Sequence, residues 1–168
     1  MFSLKNDVAK LANVNPRAEL HGEDPQPACD LKIEMNVSNG LLAEFHPTLR
    51  SFLYEKDDSQ LDLAEDSLTH LRMPKLGPLK WDEELVGAEV TVHRGLGGKS
   101  DIVLPGCSVN NFVLAPQEGG SVMLCFRVQG HPDEKQFGRL CSIIGSEIEI
   151  TVMPPEPGED LASQGGEG

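Results

Sequence analysis

Basic side chains are scarce in this sequence: lysine and arginine number 14 against 27 aspartates and glutamates, a formal charge of −13. Such a chain is repelled by phosphate, so counterion release cannot supply the usual non-specific affinity for DNA. Aromatic residues are also few, with six Phe, one Tyr and one Trp. No run of eighteen apolar residues occurs, which excludes a membrane-spanning helix. The opening MFSLKNDVAKLANV has no long apolar core and no small-residue cleavage site, so no secretory signal is expected and the bacterial cytoplasm is the expected compartment. Cys29, Cys107, Cys125 and Cys141 form no CxxC pair, and reduced thiols packed as small hydrophobes are expected. Cys125, His131 and Cys141 could meet around a zinc ion only through a turn, without the close spacing that marks zinc motifs. No cofactor is expected.

What is present is a core and strong patterning. Hydrophobic residues make up 39% of the chain, enough for one domain of this length. Acid concentrates in EKDDSQLDLAED (residues 55 to 66) and PPEPGED (154 to 160). We expect one domain over 1–153, with candidate halves 1–54 and 85–153 joined by an acidic loop 55–84. The Pro/Gly/acid-rich tail 154–168 is expected to be disordered. Loop 55–84 is long for a compact domain, which points to a functional loop or a short element hidden within it. Trp81 is expected to anchor its end.

Strand periodicity is clearest in ACDLKIEMNV, AEVTVHR, SVNNFVLAP, SVMLCFRVQ and EIEITV, where apolar and polar residues alternate between turn formers. Two helices are predicted. HPDEKQFGRLCSIIG starts at Pro132 and Asp133, buries Phe137, Leu140, Cys141 and Ile144, and stops at Gly145. GLLAEFHPTLRSFLYE places Leu42, Phe45, Leu49, Phe52 and Leu53 at helical spacing, interrupted at Pro47. A shift of 91 residues lays Leu31, Ile33, Met35 and Val37 over Val122, Leu124, Phe126 and Val128. A tandem strand-strand-helix repeat and coincidence both explain this. The expected class is α+β, a mainly antiparallel sheet with two helices packed on one face.

The segment HRGLGGKSDI carries the end of a phosphate-binding loop, Gly98-Lys99-Ser100. His93 stands where the first glycine should be, and DIVLPG after it reads as strand and turn rather than helix. A hairpin connection is expected. None of the five histidines lies in a hydrolase or metalloprotease signature, and His93 should face solvent. His46 and His131 precede prolines at helix starts. No catalytic motif is found, and no catalytic residue is assigned. The candidate residues for nucleic-acid or anion contact are Lys75, Lys80 and Trp81, with Arg94 and Lys99 in the glycine turn; a basic groove with an aromatic platform is how single-strand binders work.

The phrases HGED, ACDLK, FHPTLRS, GGKSDI and RVQ-x-HPDEKQ-x-G resemble those of an uncharacterised group of proteins carried by temperate phages and prophages of proteobacteria. The resemblance covers most of the chain outside the acidic loop and tail. It carries no active site; it implies an early-gene setting in which small proteins handle DNA recombination, replication or host defence. The expected function is that of a non-enzymatic accessory protein whose acidic surface engages a host or phage nucleic-acid enzyme. A single-stranded-DNA-binding or recombination factor is the alternative, and a virion subunit a weaker one. The oligomeric state stays open, and a homodimer is compatible with it.

Overall fold

The computed structural model describes residues 1–57, 68–94 and 100–156. Residues 58–67 of the acidic stretch, Lys99 with the rest of the glycine turn (95–99), and the tail from 157 lie outside the described residues. The strands are β1 (Leu4–His21), β2 (Asp24–Ser38), β3 (Tyr54–Lys56), β4 (Leu68–Leu71), β5 (Leu79–Trp81), β6 (Leu85–His93), β7 (Ile102–Pro116), β8 (Ser121–Gly130) and β9 (Glu147–Met153). The helical elements wholly within the described residues are a 3-10 segment (Asn39–Glu44), α1 (Leu49–Leu53) and α2 (Glu134–Cys141).

Strands pair in the order β7-β6-β9-β1-β2-β8, and β8 pairs back onto β7, which closes a six-stranded antiparallel barrel. This corrects the expected α+β architecture. The alternation was that of sheets with one wet face, but such a sheet can bury its apolar face by closing on itself as well as under helices. Helices of five and eight residues span only about 7 and 12 Å. They cannot roof strands of 15 and 18 residues, each on the order of 50 Å if extended. Closure does that work. Strand β5 extends the wall beyond the start of β6, pairing Leu79 to Trp81 with Leu114 to Phe112 of β7. No helix among the described residues is long and apolar enough to cross a membrane.

The apparent repeat also has a different explanation. Strands β2 and β8 are hydrogen-bonded neighbours, pairing Leu31 with Val128, Ile33 with Phe126, Met35 with Leu124 and Val37 with Val122. The four residues of each strand that the 91-residue shift superimposes face one another in reverse order. All but Val37 are at most 4% exposed. Because the two strands run oppositely, the helical segments that follow them sit at opposite ends of the barrel, not on one face.

At one end, α2 begins in a capping box: the Asp133 carboxylate accepts from the Gln136 N–H at 2.7 Å while the Gln136 side chain accepts from the Asp133 N–H. Leu140 is fully buried there, Phe137 and Cys141 partly, and Gly145 turns the chain with φ +84°. Ile144, expected on the buried face, is exposed beyond the helix end. Arg139 donates to the Ser100 carbonyl and Gln136 to that of Val103, fastening α2 to the start of β7. At the other end Pro47 separates the 3-10 segment from α1. Leu42, Leu49 and Leu53 are buried as expected, but Phe52 is 59% exposed. Here Phe2, Phe45, Phe112 and Phe126 pack with centroids 5.0 to 5.9 Å apart. The buried Tyr54 hydroxyl lies 2.9 Å from the Gln117 and Ser121 carbonyls and accepts from the Gln117 N–H. It staples this end to the β7–β8 turn.

Strand β1 had no clear signal in the sequence, for a structural reason. Its register shifts between Leu4 and Asp7 and again between Leu11 and Asn13. Each bulge inverts the inward parity, so the buried positions run Leu4, then Ala9 and Leu11, then Val14. Loop 55–84 likewise hides short elements: β3 pairs with β4, and β5 joins the barrel wall.

A candidate groove on the barrel wall

A six-stranded barrel has little interior to spare, since about eight strands are needed before side chains just fill the lumen. The inward side chains form one core, so chemistry is presented on the outer wall. On that wall lies a groove of about 510 Å3 lined by Lys80 to Glu84 and by Asn110 to Val113 and Arg127. A bulge shapes it. Strand β7 inserts one extra residue against β8 between Asn110 and Val113, and Asn111 takes φ +56°. Asparagine tolerates this left-handed conformation better than most residues. The bulge turns Phe112 inward and leaves Asn111 exposed in the groove.

Arg127 lies beside the bulge. Its Nε donates to the Asn110 side chain at 2.9 Å, Asn110 donates to Gln129 at 2.9 Å, and Gln129 donates to Asp30 at 3.3 Å. Asp30 also accepts from Arg17 Nε at 2.8 Å. This ladder of polar groups crosses the outer faces of β7, β8, β2 and β1. A second groove of about 400 Å3 shares Asn111, Val113 and Arg127 with the first and adds Asn13, Asn15 and Lys32. Together they form one channel rich in carboxamides.

Of the sequence candidates, the groove brings together Lys80 and Trp81. The Trp81 ring packs edge-on to Phe45 at 5.9 Å, and its N–H donates to Glu83 at 3.2 Å. It anchors the loop as expected, and one rim of the ring is thereby occupied. Lys75 is exposed in the connection between β4 and β5 and does not line the groove. Arg94 follows the far end of β6, a strand of nine residues or about 30 Å; its backbone N–H donates to Asp101. Lys99 lies outside the described residues. Arg127, Asn110 and Asn111 were not singled out. Their signal was the three-residue step from Val109 to Phe112, which breaks the alternation in SVNNFVLAP.

The strands flanking the glycine turn pair antiparallel, Val92 opposite Ile102, so β7 follows the turn where a helix would follow a phosphate loop. His93 is not on an open face, as expected, but three-quarters covered. Its Nδ1 lies 3.0 Å from Asp101 and its Nε2 2.7 Å from the Thr151 hydroxyl. The imidazole holds the Asp101 carboxyl below its usual range. The order carboxylate, imidazole, hydroxyl is that of a hydrolytic triad. However, Thr151 Oγ1 also accepts from the Asn6 N–H at 3.0 Å and lies 3.2 Å from the Asn6 side-chain oxygen. The hydroxyl is thus engaged by the β1 bulge, where Asn6 takes φ +49°. The set acts as a clamp on the N-terminal strand.

Cys125 is on β8, Cys141 at the end of α2, and His131 is bonded to Glu19 at 2.6 Å. Among the described residues no group of three His, Cys, Asp or Glu is placed to hold a metal. Burial pushes the Cys29 thiol up to about 11 and that of Cys107 to about 12, so both behave as inert core groups. Comparison with protein-family models, with curated proteins and with solved structures gives no match.

Proposed function

We propose that this protein is a non-enzymatic accessory protein of phage or prophage type, working in the bacterial cytoplasm by binding a nucleic-acid-handling or host-defence enzyme. The observation that carries the reading is the makeup of the groove around Trp81. Lys80 and Arg127 are there outnumbered by Asp82, Glu83 and Glu84. A surface that is acidic even where its basic candidates gather favours a basic protein partner over a phosphate backbone. The phage-like phrasing supports the setting. The test is capture from a proteobacterial lysate with the intact chain as bait. The expected result is a partner retained at low salt and released as salt rises; no partner at low salt would overturn the reading.

The alternative, single-stranded DNA, draws support from Lys80, Trp81 and Arg127 lining one groove. Trp81 is the sole tryptophan, so its fluorescence reports that groove alone. Addition of an oligonucleotide at low salt is expected to leave it unchanged. Salt-sensitive quenching would replace the first reading with this one.

A further inference from the structure

Beyond the pairing of β1 with β9, which ends at Lys10, and of β2 with β8, which ends at Cys29, the β1–β2 hairpin continues alone as a two-stranded arm. Among the described residues no third strand pairs with its edges, a geometry that invites strand addition. Prolines remove that option: Pro16 in β1 and Pro25 and Pro27 in β2 have no N–H to donate. A partner at the arm must therefore be recognised through side chains. Where the base of the arm meets the start of α2, there is a cavity of about 380 Å3 walled by Pro16, Pro27, Ala28, Pro132 and Phe137. Its walls are apolar and rigid.

The rim is acidic. Asp133 and Glu134 are exposed at the mouth. Arg17, the cation in the lining, is engaged by Asp30 at 2.8 Å and Glu19 at 2.5 Å, and Glu19 also meets His131 at 2.6 Å. Arg17 is thus already neutralised, which leaves Asp133 and Glu134 as the charges at the mouth. An apolar pocket this size accepts one large side chain, and the two carboxylates at its mouth select cationic neighbours beside it. We propose that this niche is the docking site for a basic segment of a partner protein, taking a single aromatic or large aliphatic side chain flanked by lysines or arginines. The inference rests on the protein-binding reading above and names the surface it uses.

The test uses the full chain and three synthetic octapeptides at low salt, read by NMR at the Ala28 methyl and the Phe137 ring. The first peptide carries one Phe between lysines, the second has Ser for that Phe, and the third has Glu for the lysines. Saturable shifts are expected with the first, and about ten-fold weaker binding with either control. Glu134→Lys should weaken the first peptide several-fold without changing the melting profile by more than a surface substitution does. No shift with the first peptide, or equal shifts with all three, would overturn the assignment. If Glu134→Lys captures the lysate partner as well as the unmodified chain, the niche is the wrong surface while the functional reading stands. If the unmodified chain captures nothing, the functional reading itself fails.

Discussion

The two ends of the barrel are closed by different chemistry. Towards the β7–β8 turn, Phe2, Phe45, Phe112 and Phe126 fill the mouth, and the Tyr54 hydroxyl ties the covering segment to the backbone. Towards the arm, the strands end in small residues: Gly130 lies between Cys29 on β2 and Cys107 on β7, both fully buried. A Cβ on Gly130 would stand 3.2 Å from the Cys107 sulfur. One end is sealed by its own bulk, whereas the other depends on a lid, α2. The difference teaches where the molecule can bind without disturbing its core. The niche and the acidic rim belong to the lidded end.

Phe112→Ala should do the most damage. The ring is 1% exposed and touches three others, so a cavity opens where nothing can collapse into it. A loss of about 3–5 kcal/mol in denaturant unfolding is expected. Leu140→Ala at the lidded end should cost less, near the lower part of the ~2–5 kcal/mol range for such truncations, because an eight-residue helix can settle. It should also speed the reaction of Cys29 and Cys107 with a thiol reagent, which in the unmodified chain reacts first with the half-buried Cys125 and Cys141. If the two substitutions cost the same and Cys29 and Cys107 stay protected, the contrast between the ends is wrong. Asp133→Ala, which removes the cap but leaves the lid's buried face, should cost about 1 kcal/mol.

How much of this was legible in the sequence depended on whether the signal was local. The strands that became β2 and β8 could be read because their inward residues keep strict alternation over four positions, and β6, β7 and β9 from shorter alternating runs. The start of α2 could be read from Pro132 and Asp133, and the structure adds the reciprocal bonds between Asp133 and Gln136. Strand β1 could not, because two bulges move its parity from Leu4 to Leu11 to Val14. Closure could not either: that β8 pairs with both β2 and β7 is a fact about residues far apart in the chain. The same limit applies to the groove. Lys80 and Trp81 were found as neighbours in sequence, while Arg127 reaches them only through the barrel wall. Arg94, grouped with them by charge, is separated by the length of β6.

The smallest predicted effect concerns the sheet that covers the aromatic end. Glu118, on the β7–β8 turn, accepts from the Leu71 N–H at 3.1 Å and lies 2.8 Å from His70 Nδ1, so it tethers β4 to the barrel. The hydrogen bond and charge of Glu118, with Glu55 and Asp57 adding to the field, hold His70 above its ordinary 6.5. The His70 contact and the Leu71 N–H hold Glu118 below its ordinary 4.5. A raised histidine contributes fully below 6.5 and loses its contribution as pH climbs through the folded value. A lowered glutamate contributes fully above 4.5 and loses it as pH falls through its own folded value. The tether is therefore tightest between these limits and loosens on both sides. Both side chains are exposed, so solvent screening keeps the effect on global unfolding slight. It should be visible locally, as faster amide exchange at Leu71 above and below that window, and as a His70 titration that moves back towards 6.5 in Glu118→Gln. A His70 midpoint unmoved by that substitution would mean that Glu118 does not set the His70 titration, leaving the Leu71 N–H bond, the Asn39 contact to Leu68 and the Gly119 contact to Thr69 as the ties of β4 to the barrel.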